Sequence, residues 1–209
     1  MAGRPRATGE SAGERNSRQD LLEAAASLFI AHGYAATSTR AIAEAAGLRQ
    51  ASLYHYFGGK DEILAVLLEG TVRPTLQLRF GDLSPLAKLW ALCRFDIELL
   101  CGGPHNLGVL YLRPEISAPE FASFHTTHSA LQDLYRTSVL AAGGSPDAAD
   151  LVFGLVEGVI LTRQRKVITD VPGYAAAGAD ACVRIVDATA DLPAVRAEAA
   201  LLSAQKNHT

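Results

Sequence analysis

The stretch Thr37-Ser-Thr-Arg-Ala-Ile-Ala-Glu-Ala-Ala-Gly-Leu-Arg-Gln-Ala-Ser-Leu-Tyr-His-Tyr-Phe-Gly-Gly-Lys60 decides the fold. It reads as two short helices joined by a tight turn. Ser38 is placed to cap the first helix, its hydroxyl accepting a free backbone N–H. The run Thr39 to Ala46 then puts Ile42, Ala45 and Ala46 on one side. Gly47 can take the left-handed conformation that ends a helix, and Leu48 fills the angle that follows. The second helix is expected from Gln50 to Tyr56, with Leu53 and Phe57, spaced i and i+4, facing a core. Gln50, Ala51, Ser52, Tyr54, His55 and Tyr56 are left for the outer faces, too polar a set for a merely buried helix. This is the spacing of a helix-turn-helix, whose second helix suits a DNA major groove. Gln pairs with adenine edges, a methyl touches thymine, and Ser and Tyr hydroxyls reach phosphates. Lys60 follows where a cation can grip a phosphate.

Working outward, Leu21, Leu22, Ala25, Leu28 and Phe29 form an i, i+3/i+4 stripe on a preceding helix, which stops at Gly33-Tyr34. With these residues in place, the stretch from Arg18 to Leu68 resembles the DNA-binding domain of the TetR family of bacterial regulators. The resemblance is carried by Ala24-Ala25, Leu28-Phe29, Gly33-Tyr34, Thr37-Ser38, Ile42-Ala43, Ala46-Gly47, Leu53-Tyr54-His55-Tyr56-Phe57, Lys60 and Glu62-Ile63-Leu64. It implies that Thr39 and Arg40 approach the backbone and groove edge. It places Gln50, Ala51 and Ser52 where bases are read, and Tyr54 and Lys60 where phosphates are held. His55 completes the exposed set. Two departures stand out. Gly58-Gly59 replaces a more usual Pro- or Ser-containing turn, and Arg49 replaces a small polar cap, trading capping against a phosphate or guanine contact.

Composition agrees with this division. The 209-residue chain is 49% hydrophobic with a net charge of −3, enough for one sizeable core or two small ones. Residues 1–60 hold seven Lys/Arg against five Asp/Glu, and residues 61–209 hold twelve against seventeen. The excess of positive charge therefore lies with the helix-turn-helix, where phosphate neutralisation would use it. The odd number of cysteines (Cys93, Cys101 and Cys182), without a CxxC pair, fits buried free thiols in a reducing cytoplasm. No signal peptide or membrane-length apolar run is legible, so a cytoplasmic protein without membrane contact is expected.

The expected organisation is an all-α fold. A disordered arm (1–17), in which Arg4 and Arg6 could enter a minor groove, precedes a three-helix DNA-binding domain with the start of a linking helix (18–72). A helical effector-binding and dimerisation domain follows (73–209). The linking helix is expected from Lys60 toward Phe80, kinked at Pro74. Ser84-Pro85 opens a central, mostly buried helix to Cys101, with Arg94 and Glu98 as an i, i+4 pair. Ser117 to Glu120 reads as a capping box before a helix to Ala142. Further helices are expected over Pro146–Ile168 and Tyr174–Leu192, with a short tail helix after Pro193.

Two of these helices are too apolar for a lone surface. Gly154 and Gly158 on one, and Gly178, Ala181, Ile185 and Ala188 on the other, are expected to form a four-helix homodimer interface, the arrangement that the resemblance also implies. A pocket for a small, largely apolar effector is expected from Trp90, Phe95, Tyr111, Phe124, Phe153 and Ile160, with His128 and Glu157 as polar anchors. His125 and His128 lack the further ligands of a metal site. No nucleophile–base–orienter set, phosphate-cradling loop or cofactor motif is legible, so neither an enzyme nor a cofactor or metal is expected. The expected function is a homodimeric repressor that binds a near-palindromic operator in double-stranded DNA and is released by a small-molecule effector. The alternative is an activator, or a regulator whose body binds a protein partner.

Overall fold

Gly47 takes the backbone conformation that the turn requires. In the computed structural model, whose described residues run from 12 to 206, its φ is +70°. The Leu48 N–H donates to the Ala43 carbonyl at 2.8 Å and the Gly47 N–H to that of Glu44 at 3.1 Å. This pair of bonds closes the end of the helix, and a Cβ at this position would strain it. The turn joins α2 (Thr39–Ala45) to α3 (Gln50–Tyr56). Ser38 caps α2 as expected, accepting the Ala41 N–H at 3.1 Å. With α1 (Ala12–His32) they bury Leu21, Ala25, Phe29, Ile42, Leu53 and Phe57 in one core. The Arg18 guanidinium lies over the Phe57 ring, 4.8 Å from its centroid, and ties α1 to the end of α3.

Two expectations change in this unit. Helix α1 begins at Ala12, so residues 12–17 are helical where an arm was expected. Ala12, Glu14 and Arg15 are good helix formers, and Gly13, Asn16 and Ser17 among them concealed the helix. The rest of the arm, with Arg4 and Arg6, lies outside the described residues. The chain also divides into two compact units after Leu67, earlier than the expected junction at residue 72, so the last turn of α4 (Lys60–Gly70) belongs to the second unit. The linking helix is not one kinked rod. It ends at Gly70 and resumes as the short α5 (Arg73–Leu76), with Pro74 in its first turn. Proline there loses no helical hydrogen bond.

The second unit is built around α6 (Pro85–Cys101). Ser84 caps it, and the Glu198 carboxylate accepts the Ser84 N–H at 2.5 Å and its hydroxyl at 2.6 Å. The Arg94–Glu98 pair forms at 2.9 Å. Around α6 pack α7 (Ala122–Ala141), α8 (Pro146–Arg165), α9 (Val171–Val186) and α10 (Leu192–Lys206). Two faces of α6 do different work. Trp90, Cys93 and Ile97 point to α9, while Asp96 points to α7. Cys93, Cys101 and Cys182 are buried free thiols. Burial pushes the Cys93 and Cys101 thiols up from their ordinary pKa. Among the described residues there is no strand, and no helix is long and apolar enough to cross a membrane.

Between α6 and α7 the chain makes three short 3-10 helices: 107–112, 114–117 and 119–121. The expected capping box at Ser117–Glu120 does not form, and α7 starts without a side-chain cap. Pro119 holds Ala118 extended (ψ 149°), which breaks the reciprocal geometry. The Tyr174–Leu192 helix is also redrawn. It starts three residues earlier, at Val171, with Pro172 in the first turn of α9 and Asp170 capping it through the Gly173 N–H. At the other end, Asp187 accepts the Thr189 N–H and hydroxyl, both at 2.8 Å. That turn separates α9 from α10, and Ala188 lies in it, exposed.

Candidate functional site

Helix α3 presents two unlike faces. Leu53 is fully buried, while Gln50, Ala51 and His55 are exposed and Tyr54 is 53% exposed. Ser52 and Thr39 are half-buried at its edge. The exposed side chains are not all free to swing. Gln50 Nε2 donates to Thr39 Oγ1 at 3.1 Å, and Thr39 Oγ1 lies 3.1 Å from the Tyr54 hydroxyl. The His55 ring stands edge-on to Tyr56. Arg40 pairs with Glu44 at 2.8 Å, an exposed i, i+4 contact that a phosphate can readily replace.

Arg49 occupies the N-cap of α3 and makes no side-chain cap hydrogen bond. The orphan N–H groups of this turn are left to solvent. Arg49→Ser should supply the missing acceptor and stabilise the protein by about 1 kcal/mol. The midpoint of urea unfolding checks it. A midpoint that does not rise would show that the α3 terminus gains nothing from a cap.

The Lys60 ammonium donates to the carbonyls of Tyr34 at 2.9 Å, Thr37 at 3.1 Å and Ala35 at 3.5 Å, and lies 4.3 Å from the Tyr34 ring centroid. An ammonium has three protons, and the loop between α1 and α2 takes all of them. Lys60 therefore fixes that loop, and through it the start of α2. The Gly58-Gly59 departure is compensated locally. The Glu62 carboxylate accepts the Gly58 N–H at 2.6 Å and closes the turn before α4.

In the second unit, five of the eight expected pocket residues come together. The ring centroids of Tyr111 and Phe124 are 5.1 Å apart, Phe124 and His128 5.7 Å, and His128 and Phe153 5.7 Å. The His128 Nε2–H donates to the Glu157 carboxylate at 2.7 Å. The Tyr111 hydroxyl bonds that of Thr71, just beyond α4. Ile160 is buried beside Gly108, and its carbonyl accepts from Asn106 at 2.8 Å. Phe95 is half-buried on α6. Trp90 does not join the cluster. Its indole N–H donates to Asp180 on α9 at 2.8 Å, and Asp180 is also held by Arg196 of α10. The residue spacing of α6 explains this, since Trp90 shares a face with Cys93 and Ile97.

Sequence reasoning missed the group beneath the cluster. Asp96 is 2% exposed. Its two oxygens accept from the Thr75 hydroxyl and the Tyr135 hydroxyl, each at 2.8 Å. Loss of water raises its pKa to about 6, against the lowering effect of these two donors. A signal was present: Asp96 falls one turn after Leu92 on an apolar face. Arg163 was missed as well. Its guanidinium bonds the carbonyls of Leu100 (2.7 Å), Gly103 (3.1 Å), Gly102 (3.4 Å) and His105 (3.5 Å) at the end of α6.

The expected dimer residues divide. Gly154 is exposed and Gly158 half-buried, and a Cβ at either would meet nothing within 4 Å. Leu151 (63% exposed) and Leu161 (45%) continue the same face of α8. Ala181 is exposed and Ile185 half-buried on α9. Gly178 has a second use, because a Cβ there would come within 2.5 Å of the Ile97 side chain. It admits α6 within the same chain. Ala188 drops out of the helix face altogether, as its place in the turn after α9 requires.

Comparison with known proteins places these features. A family model described as "Bacterial regulatory proteins, tetR family" matches residues 21–67, the span of the helix-turn-helix. The chain is 39% identical over 95 residues to the HTH-type transcriptional repressor KstR2 of Mycobacterium tuberculosis, covering 43% of this chain and 47% of that one. It thus spans about half the length of that relative. Against KstR2 of Rhodococcus jostii the identity is 39% over 141 residues, 64% of this chain and 68% of the other. The crystal structure of Mycobacterium smegmatis AmtR superposes with a TM-score of 0.81 at 40% identity, over 94% of this chain and 96% of that one. AibR, crystallised with isovaleryl coenzyme A and operator DNA, shares the fold at a TM-score of 0.60 and 21% identity, over 81% of this chain and 97% of its own. With that likeness running nearly end to end in AmtR, and the family model seated on the helix-turn-helix, the chain belongs to the TetR family of bacterial regulatory proteins.

Proposed function

We propose that the protein is a homodimeric, sequence-specific DNA-binding repressor released from its operator by a small, largely apolar effector. The observation that carries the reading is the two-faced α3. Leu53 and Phe57 anchor it in the core, while Gln50, Ala51, Tyr54 and His55 stand exposed. Thr39, Arg40, Arg49 and Ser52 border this surface, with Lys60 acting through the loop it holds. Two such helices, one per subunit, would read successive major grooves of a near-palindromic site. Selection of bound sequences from a random DNA pool at moderate salt tests this. Enrichment of an inverted repeat is the expected result, and no enrichment with or without candidate effectors would overturn it.

The exposed face of α8 and its neighbour on α9 support the dimer. A groove of about 400 Å³ runs between them, lined by Leu155, Gly158, Tyr174 and Ala177 with Ile97 beneath. A second copy of this apolar face would fill it. Gly154→Arg offers a clean test, because the side chain has open space in one subunit and none in a helix-packed dimer. The variant should elute as a folded species near 22.1 kDa by light scattering, half the mass of the wild-type dimer. A dimeric Gly154→Arg would place the interface elsewhere.

The effector reading rests on the Tyr111–Phe124–His128–Phe153 cluster, whose rings pack on one another with the His128–Glu157 pair among them. A ligand of aliphatic or aromatic body and one polar group would part these rings and take over part of that pair. Tyr111 then leaves Thr71, and the end of α4 loses an attachment. Such a ligand lowers operator affinity only to the extent that it binds the DNA-incompetent state better.

A further inference from the structure

The hydrogen-bond chain from Gln50 through Thr39 to Tyr54 has no place in a simple division into phosphate holders and base readers. Eleven and fifteen residues separate Thr39 from its two partners. The three side chains meet because the turn at Gly47 brings α3 against the start of α2. Gln50 and Tyr54 are exposed, and Thr39 lies half-buried between them.

Counting protons fixes the direction of the chain. Tyr54 has one hydroxyl proton. When that proton goes to a phosphate, the Tyr54 oxygen accepts, and Thr39 must donate to it. The Thr39 proton is then used, so toward Gln50 the hydroxyl can only accept. Gln50 must therefore turn its N–H side to Thr39, as the 3.1 Å contact has it. The amide is no longer free to flip. Its oxygen faces away from Thr39, with the remaining N–H proton beside it. An acceptor and a donor side by side complement adenine in the major groove, whose N6 amino group donates and whose N7 accepts. Without the Thr39 hydroxyl, the amide could turn by half a revolution and offer either pattern.

We propose that Thr39 is a specificity-positioning residue, whose hydroxyl, oriented by Tyr54 and the phosphate that Tyr54 holds, locks the Gln50 amide to read adenine. This rests on the proposed role of α3 as the base-reading helix. It makes the phosphate contact and the base contact interdependent, since a shared proton chain joins them.

The test uses the full chain as wild type, Thr39→Val, Thr39→Ser and Tyr54→Phe. Sequences are selected from a random pool, and affinities are then measured on the selected site and on sites changed at single base pairs. Wild type should prefer an A·T pair at one fixed position in each half-site by about tenfold, a typical discrimination for a bidentate contact. Thr39→Ser should keep that preference. Thr39→Val and Tyr54→Phe should each reduce it to less than about threefold, with unfolding midpoints unchanged. If Thr39→Val weakens every sequence equally and keeps the preference, Thr39 is only a backbone contact and the proposal fails. It fails equally if Thr39→Ser behaves like Thr39→Val. A wild type that selects no sequence overturns the base-reading role of α3 itself, which separates that failure from the failure of Thr39.

Discussion

The stability of the wild-type protein relative to Asp96→Asn should fall by about 2 kcal/mol between pH 4 and pH 7. Asp96 has a folded-state pKa of about 6, against an ordinary value of 3.8. The folded protein therefore binds this proton more tightly than the unfolded chain. The stabilisation it confers is fully present below the ordinary value and is lost as pH rises through about 6. Asn has the same shape and does not titrate. Other ionisations largely cancel when the two proteins are compared at each pH, so the difference reports Asp96. Urea unfolding at four or five pH values measures it. Two parallel curves would mean that the carboxylate is better solvated than its burial between Thr75 and Tyr135 implies.

Arg163→Ala should destabilise the protein by about 2–3 kcal/mol. The guanidinium gathers the last carbonyl groups of α6 and the loop after it, which have no helical partner of their own. A positive charge also suits that end of the helix. Arg163→Lys should recover less than half of the loss, because a point charge cannot serve a fan of carbonyls as a planar fork does. Hydrogen exchange should show the effect concentrated in residues 100–106. A Lys variant as stable as wild type would reduce Arg163 to a simple charge at a helix end.

The parts legible in the sequence were those set by local chemistry. The α2–turn–α3 segment was readable because Ser38, Gly47 and Leu53 each have a short-range reason for their position. The start of α6 was readable from Ser84-Pro85 and that of α8 from Pro146, and Ser84 and Ser145 cap the two helices. The break between α9 and α10 was hidden, because Ala188 and Ala190 carry no turn signal of their own while a turn at Asp187 interrupts the backbone. The loop contacts of Lys60 were hidden for a related reason. Its three carbonyl partners lie 23 to 26 residues upstream and converge only once the loop is folded. In the second unit, the aromatic cluster followed from spacing on α7 and α8. Trp90 was assigned to the wrong side because an apolar wrap nearly all round α6 leaves its faces indistinguishable.

The three buried thiols give the protein an internal clock for its own opening motions. Cys93 and Cys182 lie fully buried on α6 and α9, so a thiol reagent reaches them only after those helices part. Cys101 is at the end of α6, beside the loop that Arg163 holds, and should become reactive sooner. The ratio of labelling rates at Cys101 and Cys93, followed by the masses of the labelled peptides, would then compare fraying of one helix end with separation of the whole helix pair. An effector that tightens the body should slow the second rate without touching the first.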